Sequence, residues 1–153
     1  MNEPTVSQSG ITDVTFGKNV KIVQPSNLYG CSIGDDCSIG PFVEIQKDVT
    51  IGRGCKIQSH AFICELVTIG DNCFISHGAK FINDMFQSGK PAGGDKTKWR
   101  STNIGNDVSI GTNATVLPVT ITDNVVVGAG AVVVSDIKES GTYVGNPAKK
   151  VRV

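Results

Sequence analysis

The chain has 153 residues, 39% of them hydrophobic and only 6% aromatic, with 14 basic residues against 14 acidic ones. That length suits one domain, spanning 1–153, with a sizeable core. Balanced charge argues against a nucleic-acid partner, and no apolar run approaches the length of a membrane span. The opening MNEPTVSQSG has neither the basic nor the apolar region of a secretory signal, so a soluble, cytoplasmic protein with no membrane partner is expected.

Residues 1–10 are polar and aperiodic, a lead-in. Large apolar residues then stand at Phe16, Ile22 and Leu28, and from Ile33 to Phe81 one recurs at every sixth position. The units read IGDDCS, IGPFVE, IQKDVT, IGRGCK, IQSHAF, ICELVT, IGDNCF and ISHGAK, with a small or β-branched residue in each fifth place. A period of six fits neither a helix nor a coiled coil; it is that of a hexapeptide solenoid, in which each unit is a short strand and a corner. Three units make a triangular turn of 18 residues, so Cys37, Cys55 and Cys73 should stack. The five cysteines are odd in number and lack CxxC spacing, and are read as structural thiols rather than a metal site or disulfide framework.

The rhythm shortens by one residue near Gly30, disappears after Phe81 and resumes at Ile104; a second one-residue shortening precedes Ile121. Eighteen opening positions, ending at Val133, predict an all-β parallel β-helix of about six 18-residue coils with one protruding loop at about 83–103. The hand is taken as left, the habit of this repeat class, since periodicity alone does not set it. In a rigid repeat the departure from repeat is the place to look for chemistry. The loop carries Lys90, Lys96, Lys98, Trp99 and Arg100, suited to a phosphorylated and partly flat ligand, with Asn83 and Asp84 where it leaves the rung. His77, one unit earlier, has the near-neutral titration of a general base, and His60 is a more remote candidate.

The hexad run, the FINDMF segment, NATVLPVTI and YVGNPAK together resemble the hexapeptide acyltransferases over about residues 14–153. Within them the chain looks like the bacterial nucleotide-sugar N-acetyltransferases of the UDP-2-acetamido-3-amino-2,3-dideoxyglucuronate type, which serve surface-polysaccharide (lipopolysaccharide O-antigen) biosynthesis. The resemblance implies acetyl-CoA as co-substrate, no metal, and a homotrimer with sites between neighbouring prisms. It implies that Asn83 orients the acceptor amine; Asp84 beside it could pair with the ammonium or act as base, His77 is the other candidate base, and in some relatives the departing CoA sulfur takes the proton instead, so the base stays open. Gly111, Ala129 and Gly130 would flank the pantetheine arm, Lys149, Lys150 and Arg152 the CoA phosphates, and Lys98, Trp99 and Arg100 the nucleotide-sugar. A dTDP-linked 3- or 4-amino-deoxyhexose, or O-acetylation with His77 as base, are the alternatives. A zinc carbonic anhydrase on this prism would need three histidines, and the chain has only His60 and His77.

Overall fold

A computed structural model describes residues 2–152; Met1 and Val153, the ends of the lead-in and the tail, lie outside the described residues. Nearly every strand is two or three residues long: an outward-facing residue followed by an inward-facing aliphatic one, as in Thr50–Ile51 and Lys56–Ile57. A strand so short has no sheet partner within its own coil. It hydrogen-bonds to the equivalent strand of the coils above and below, so the chain winds into three parallel sheets.

The first face holds seven strands, from Ile11–Thr12 to Val132–Val133, and the second six, from Thr15–Phe16 to Thr120–Ile121. The third face holds eight, from Lys21–Ile22 to Lys149–Val151. The result is a left-handed parallel β-helix of about seven coils. The hexad count gave six because both ends are cryptic. Ile11–Thr12 pairs with Asn27–Tyr29 although no earlier hexad announces it, and Gly141–Val144 pairs with Val125–Val127 across a break in the rhythm.

Vertical partners stand 18 residues apart where the hexads are unbroken, as in Ile33↔Ile51 and Ile51↔Ile69. They stand 17 apart where a corner is short, as in Leu28↔Ile45 and Ile104↔Ile121. Across the long loop the partners are Ile69↔Ile104 and Phe81↔Val116, so the insertion leaves the ladder intact.

The interior is a column of aliphatic side chains. Ile45, Ile57, Ile63, Ile75 and Ile110 are fully buried, each contributing roughly 1.5–3 kcal/mol. Coils approach one another closely at the edge joining the second face to the third. A Cβ on Gly52 would stand 2.7 Å from both the carbonyl carbon and the oxygen of Gly70, which is why the hexads there open Ile-Gly. Cys37, Cys55 and Cys73 stack beside that edge as expected, their thiols donating to the Gly52, Gly70 and Gly105 carbonyls at 3.0, 3.1 and 3.1 Å.

All five cysteines are free and buried. Burial pushes the Cys31 thiol up to about 11 and Cys64 up to about 12. Cys55, hydrogen-bonded between the thiols of Cys37 and Cys73 and buried, is also raised. The same hydrogen bonds to Cys55 hold Cys37 down to about 7 and Cys73 below the usual thiol value, so enclosure in the core, not protonation, is what keeps all five from reagents. Native protein should therefore resist a disulfide reagent such as DTNB at pH 8 and release five equivalents of chromophore only after unfolding in guanidinium; fast native labelling would contradict the structural role. Gly52→Ala should destabilise the protein by about 1–3 kcal/mol in urea unfolding, because backbone atoms of Gly70, as well as the Asp71 carboxylate, stand in the way.

Candidate functional site

The three edges of the prism differ, and two of them carry the residues singled out from the sequence. Where the third face turns into the first, the pairings Ile75↔Ile110 and Ile110↔Val127 bring His77, Thr112 and Ala129 into one vertical column. Gly78, Asn113 and Gly130 form the next column, all with left-handed backbone (φ 67°, 56° and 67°). His77 is exposed, and its carbonyl accepts from Asn113 N at 3.0 Å. Below Gly111 the hydroxyls of Ser76 and Thr112 share a 2.8 Å hydrogen bond.

The glycines on this edge have different explanations. A Cβ on Gly111 would lie 2.5 Å from Ala129 N, so coil contact alone requires glycine there. A Cβ on Gly130 would have nothing within 4 Å: the outer side of that corner is open. The edge is topped by the GNPAK turn, since Val132 N donates to Gly145 O at 2.9 Å and Ala148 N donates to Val132 O at 2.8 Å. From this turn Lys149–Val151 runs antiparallel to Gly141–Val144. Lys150 Nζ lies 3.0 Å from Glu139 Oε2, and Lys149 and Arg152 are exposed.

The long loop leaves from the edge where the first face turns into the second. Its base is built by Asp84, whose Oδ1 accepts from Phe86 N at 2.9 Å and whose Oδ2 accepts from Ala92 N at 2.7 Å. Asp84 also forms an antiparallel bridge with Trp99. A single turn of 3-10 helix, Lys96–Lys98, is capped by the Asp95 side chain. Asn83 Nδ2 donates to Glu65 O at 3.2 Å, while its own carbonyl accepts from Arg100 N at 3.0 Å. Between the loop and the first face lies a cavity of about 440 Å³, walled by Phe62, Ile82, Phe86 and Trp99 with Asn83 and Asp84 on its polar side. Lys98 and Arg100 are exposed, and Trp99 is half-buried.

Within one chain, then, His77, Ala129, Gly130 and the basic tail share one edge. Asn83, Asp84, Lys98, Trp99 and Arg100 share the next, one face away. Sequence reasoning missed Glu65. Only 13% of its side chain is exposed; its carboxylate pairs with Lys96, raising that ammonium's pKa through their hydrogen bond, and Lys96 in turn lies 5.6 Å over the Trp99 ring. The signal was available, because residue 65 is one 18-residue step below Asn83. Among the described residues no group of three or more His, Cys, Asp or Glu could hold a metal ion, and no helix is long and apolar enough to cross a membrane.

Comparison with known proteins agrees with this fold. Residues 30–65 match the bacterial transferase hexapeptide (six repeats) model, and residues 102–135 the hexapeptide repeat of succinyl-transferase. The bifunctional protein GlmU of Clostridium beijerinckii is 32% identical over 151 residues, covering 93% of this chain and 32% of that protein. This chain thus spans about a third of the length of the curated relatives it matches.

Among solved structures, a hexapeptide-repeat acetyltransferase from Vibrio cholerae, complexed with acetyl coenzyme A, superposes with a TM-score of 0.66 at 24% identity, over 80% of this chain and 70% of that one. AntD, an N-acyltransferase from Bacillus cereus in complex with dTDP and coenzyme A, gives 0.66 at 24% identity, over 90% and 83%. These likenesses establish the hexapeptide-repeat fold, and two stretches of the chain carry its transferase repeat.

Asp84→Ala should leave the thermal midpoint of the prism within about 2 °C, since the loop lies outside the ladder, yet should release the loop for cleavage by trypsin at Lys90, Lys96 or Lys98. Equal protease resistance in the two proteins would show that other contacts hold the loop.

Proposed function

We propose that the chain is an acetyl-CoA-dependent N-acetyltransferase acting on the amino group of a nucleotide-linked sugar, with UDP-2-acetamido-3-amino-2,3-dideoxyglucuronate as first candidate acceptor. The observation that carries the reading is the open strip from His77 past Gly130 to the basic turn at the top of the same edge. A rod-like ligand can lie against backbone only where side chains do not intrude, and Gly130 leaves that room. Lys149, Lys150 and Arg152 supply positive charge beyond the end of the strip, suited to CoA phosphates. The V. cholerae and B. cereus structures, bound to acetyl coenzyme A and to coenzyme A with dTDP, support acyl transfer as the chemistry of this scaffold.

The separation of the two residue groups by one face supports a homotrimer. Packed side by side about a three-fold axis, prisms would set the loop edge of one copy against the strip edge of the next. Asn83, with Lys98, Trp99 and Arg100, would then approach the acceptor from the loop of one copy while the thioester lies on its neighbour.

The amine must be neutral to attack. Its nitrogen bonds to the thioester carbon, the tetrahedral oxyanion collapses, the carbon–sulfur bond breaks, and the nitrogen's proton passes to a base or to the departing thiolate. Asp84 has both oxygens engaged by loop amides, which favours a loop-shaping role for it and leaves the proton to His77 or the thiolate.

Thiol release from acetyl-CoA, measured against UDP- and dTDP-linked amino sugars and hydroxyl-only controls, tests the reading. Turnover with an amino sugar supports it, whereas turnover confined to hydroxyl acceptors replaces it with O-acetylation through His77. Asn83→Ala should lower kcat by on the order of 100-fold through loss of orientation, with the assembly intact by light scattering. Deleting residues 149–153 should raise KM for acetyl-CoA about tenfold, as expected for lost charge-assisted contacts, with kcat little changed.

A further inference from the structure

At one corner position of the His77 edge the backbone is left-handed in five successive coils: Phe42, His60, Gly78, Asn113 and Gly130, with φ of 59°, 63°, 67°, 56° and 67°. Glycine and asparagine accept that conformation readily; bulky residues do so rarely, and retained backbone strain clusters at functional sites. The two lowest coils nevertheless carry rings. The rings of Phe42 and His60 stack, centroids 4.9 Å apart at an interplanar angle of 19°, and Phe42 remains 56% exposed. The stack presents a flat aromatic surface to solvent, and packing within the chain does not account for it.

Two further observations meet at this platform. Beside Phe42 is a cavity of about 250 Å³ lined by Ser26, Asn27 and Glu44 among others. Ser26 is only 5% exposed, and its Oγ is the one buried side-chain polar atom among the described residues without a hydrogen-bond partner. A buried hydroxyl without a partner calls for an explanation. On the other side, Lys80 Nζ donates to His60 O at 2.9 Å and to Gly78 O at 3.0 Å. Those bonds fix the ammonium on the edge between the platform and His77, and an ammonium has a third donor.

We infer that the lower part of this edge is a nucleoside-diphosphate subsite, the pyrimidine ring stacking on Phe42 with its polar edge at Ser26 Oγ and the diphosphate at Lys80. The inference rests on the nucleotide-sugar reading above and specifies where that ligand's nucleotide half binds. Phe42 and Gly78 are two coils apart, about 10 Å at the spacing of parallel strands, so the order along the edge is ring, phosphate, sugar near His77, thioester above. The competing surface, Trp99 in the loop, already has Lys96 over its ring.

The test is calorimetric titration of UDP, dTDP and uridine into the full-length protein and four variants: Phe42→Asn, Ser26→Ala, Lys80→Met and Trp99→Ala. Asparagine suits the left-handed backbone, so Phe42→Asn should hold or raise the melting temperature while weakening UDP or dTDP binding about tenfold or more, the usual scale for losing a stacked base. Ser26→Ala should weaken all three ligands, and Lys80→Met should weaken the diphosphates while sparing uridine. Wild-type affinity in Phe42→Asn, or a loss confined to Trp99→Ala, overturns the subsite. Absence of UDP and dTDP binding in a protein that acetylates a free amino sugar also overturns it, while keeping acetyl transfer. Nucleotide binding lost in Phe42→Asn, in a protein that releases no thiol from acetyl-CoA with any acceptor, upholds the subsite and removes the acetyl-transfer reading.

Discussion

The backbone hydrogen bonds between successive coils are the constraint from which the rest follows. Because each strand is too short to satisfy its amides within its own coil, every N–H and C=O on a face must meet its counterpart one coil away. Register is therefore inherited upward from coil to coil. A residue can be lost only at a corner, as before Ile33 and before Ile121, and an insertion is tolerated only where it leaves and rejoins at the same corner. The loop between Phe81 and Ile104 obeys that rule: the pairing of Phe81 with Val116 is as regular as the pairings far from it. The scaffold holds the loop's base rigidly, while the loop's own form depends on a few side-chain contacts, chiefly those of Asp84 and Glu65.

The same constraint explains why so much of the fold was legible in the sequence. Inward positions admit only aliphatics or compact thiols, tight corners demand glycine, and left-handed corners favour Asn or Asp, so the architecture is written as a period of six. Legibility failed at the ends. A terminal coil has a partner on one side only, and strands such as Ile11–Thr12 and Gly141–Val144 can drift from the pattern without breaking two ladders at once.

The candidate site was less legible, and the reason is geometric. One hexad is one side of the triangle, so His77 and Asn83, six residues apart, lie on different edges. Residues 18 apart, such as Glu65 and Asn83, are stacked and in contact. Closeness along a solenoid sequence is a poor guide to closeness in space, whereas arithmetic modulo the coil is a good one. Applied consistently, it separates a strip edge from a loop edge and turns one presumed cluster into two groups of residues a face apart, the separation on which the proposed site between copies rests. It also sorts glycines: Gly111 is explained by the coil above it, while Gly130 has no steric partner and is explained by the left-handed backbone of its corner.

The final strand has a consequence of another kind. A stack of parallel coils has no intrinsic length, since each new coil exposes the same ladder that received it, and such an edge invites indefinite end-to-end growth. Here Lys149–Val151 folds back antiparallel on Gly141–Val144, so the topmost strand of the third face runs against the direction of every coil beneath it. A second copy arriving at that end meets a reversed hydrogen-bonding phase and the charges of Lys149, Lys150 and Arg152 in place of a continuing rung. The hairpin is thus a terminator.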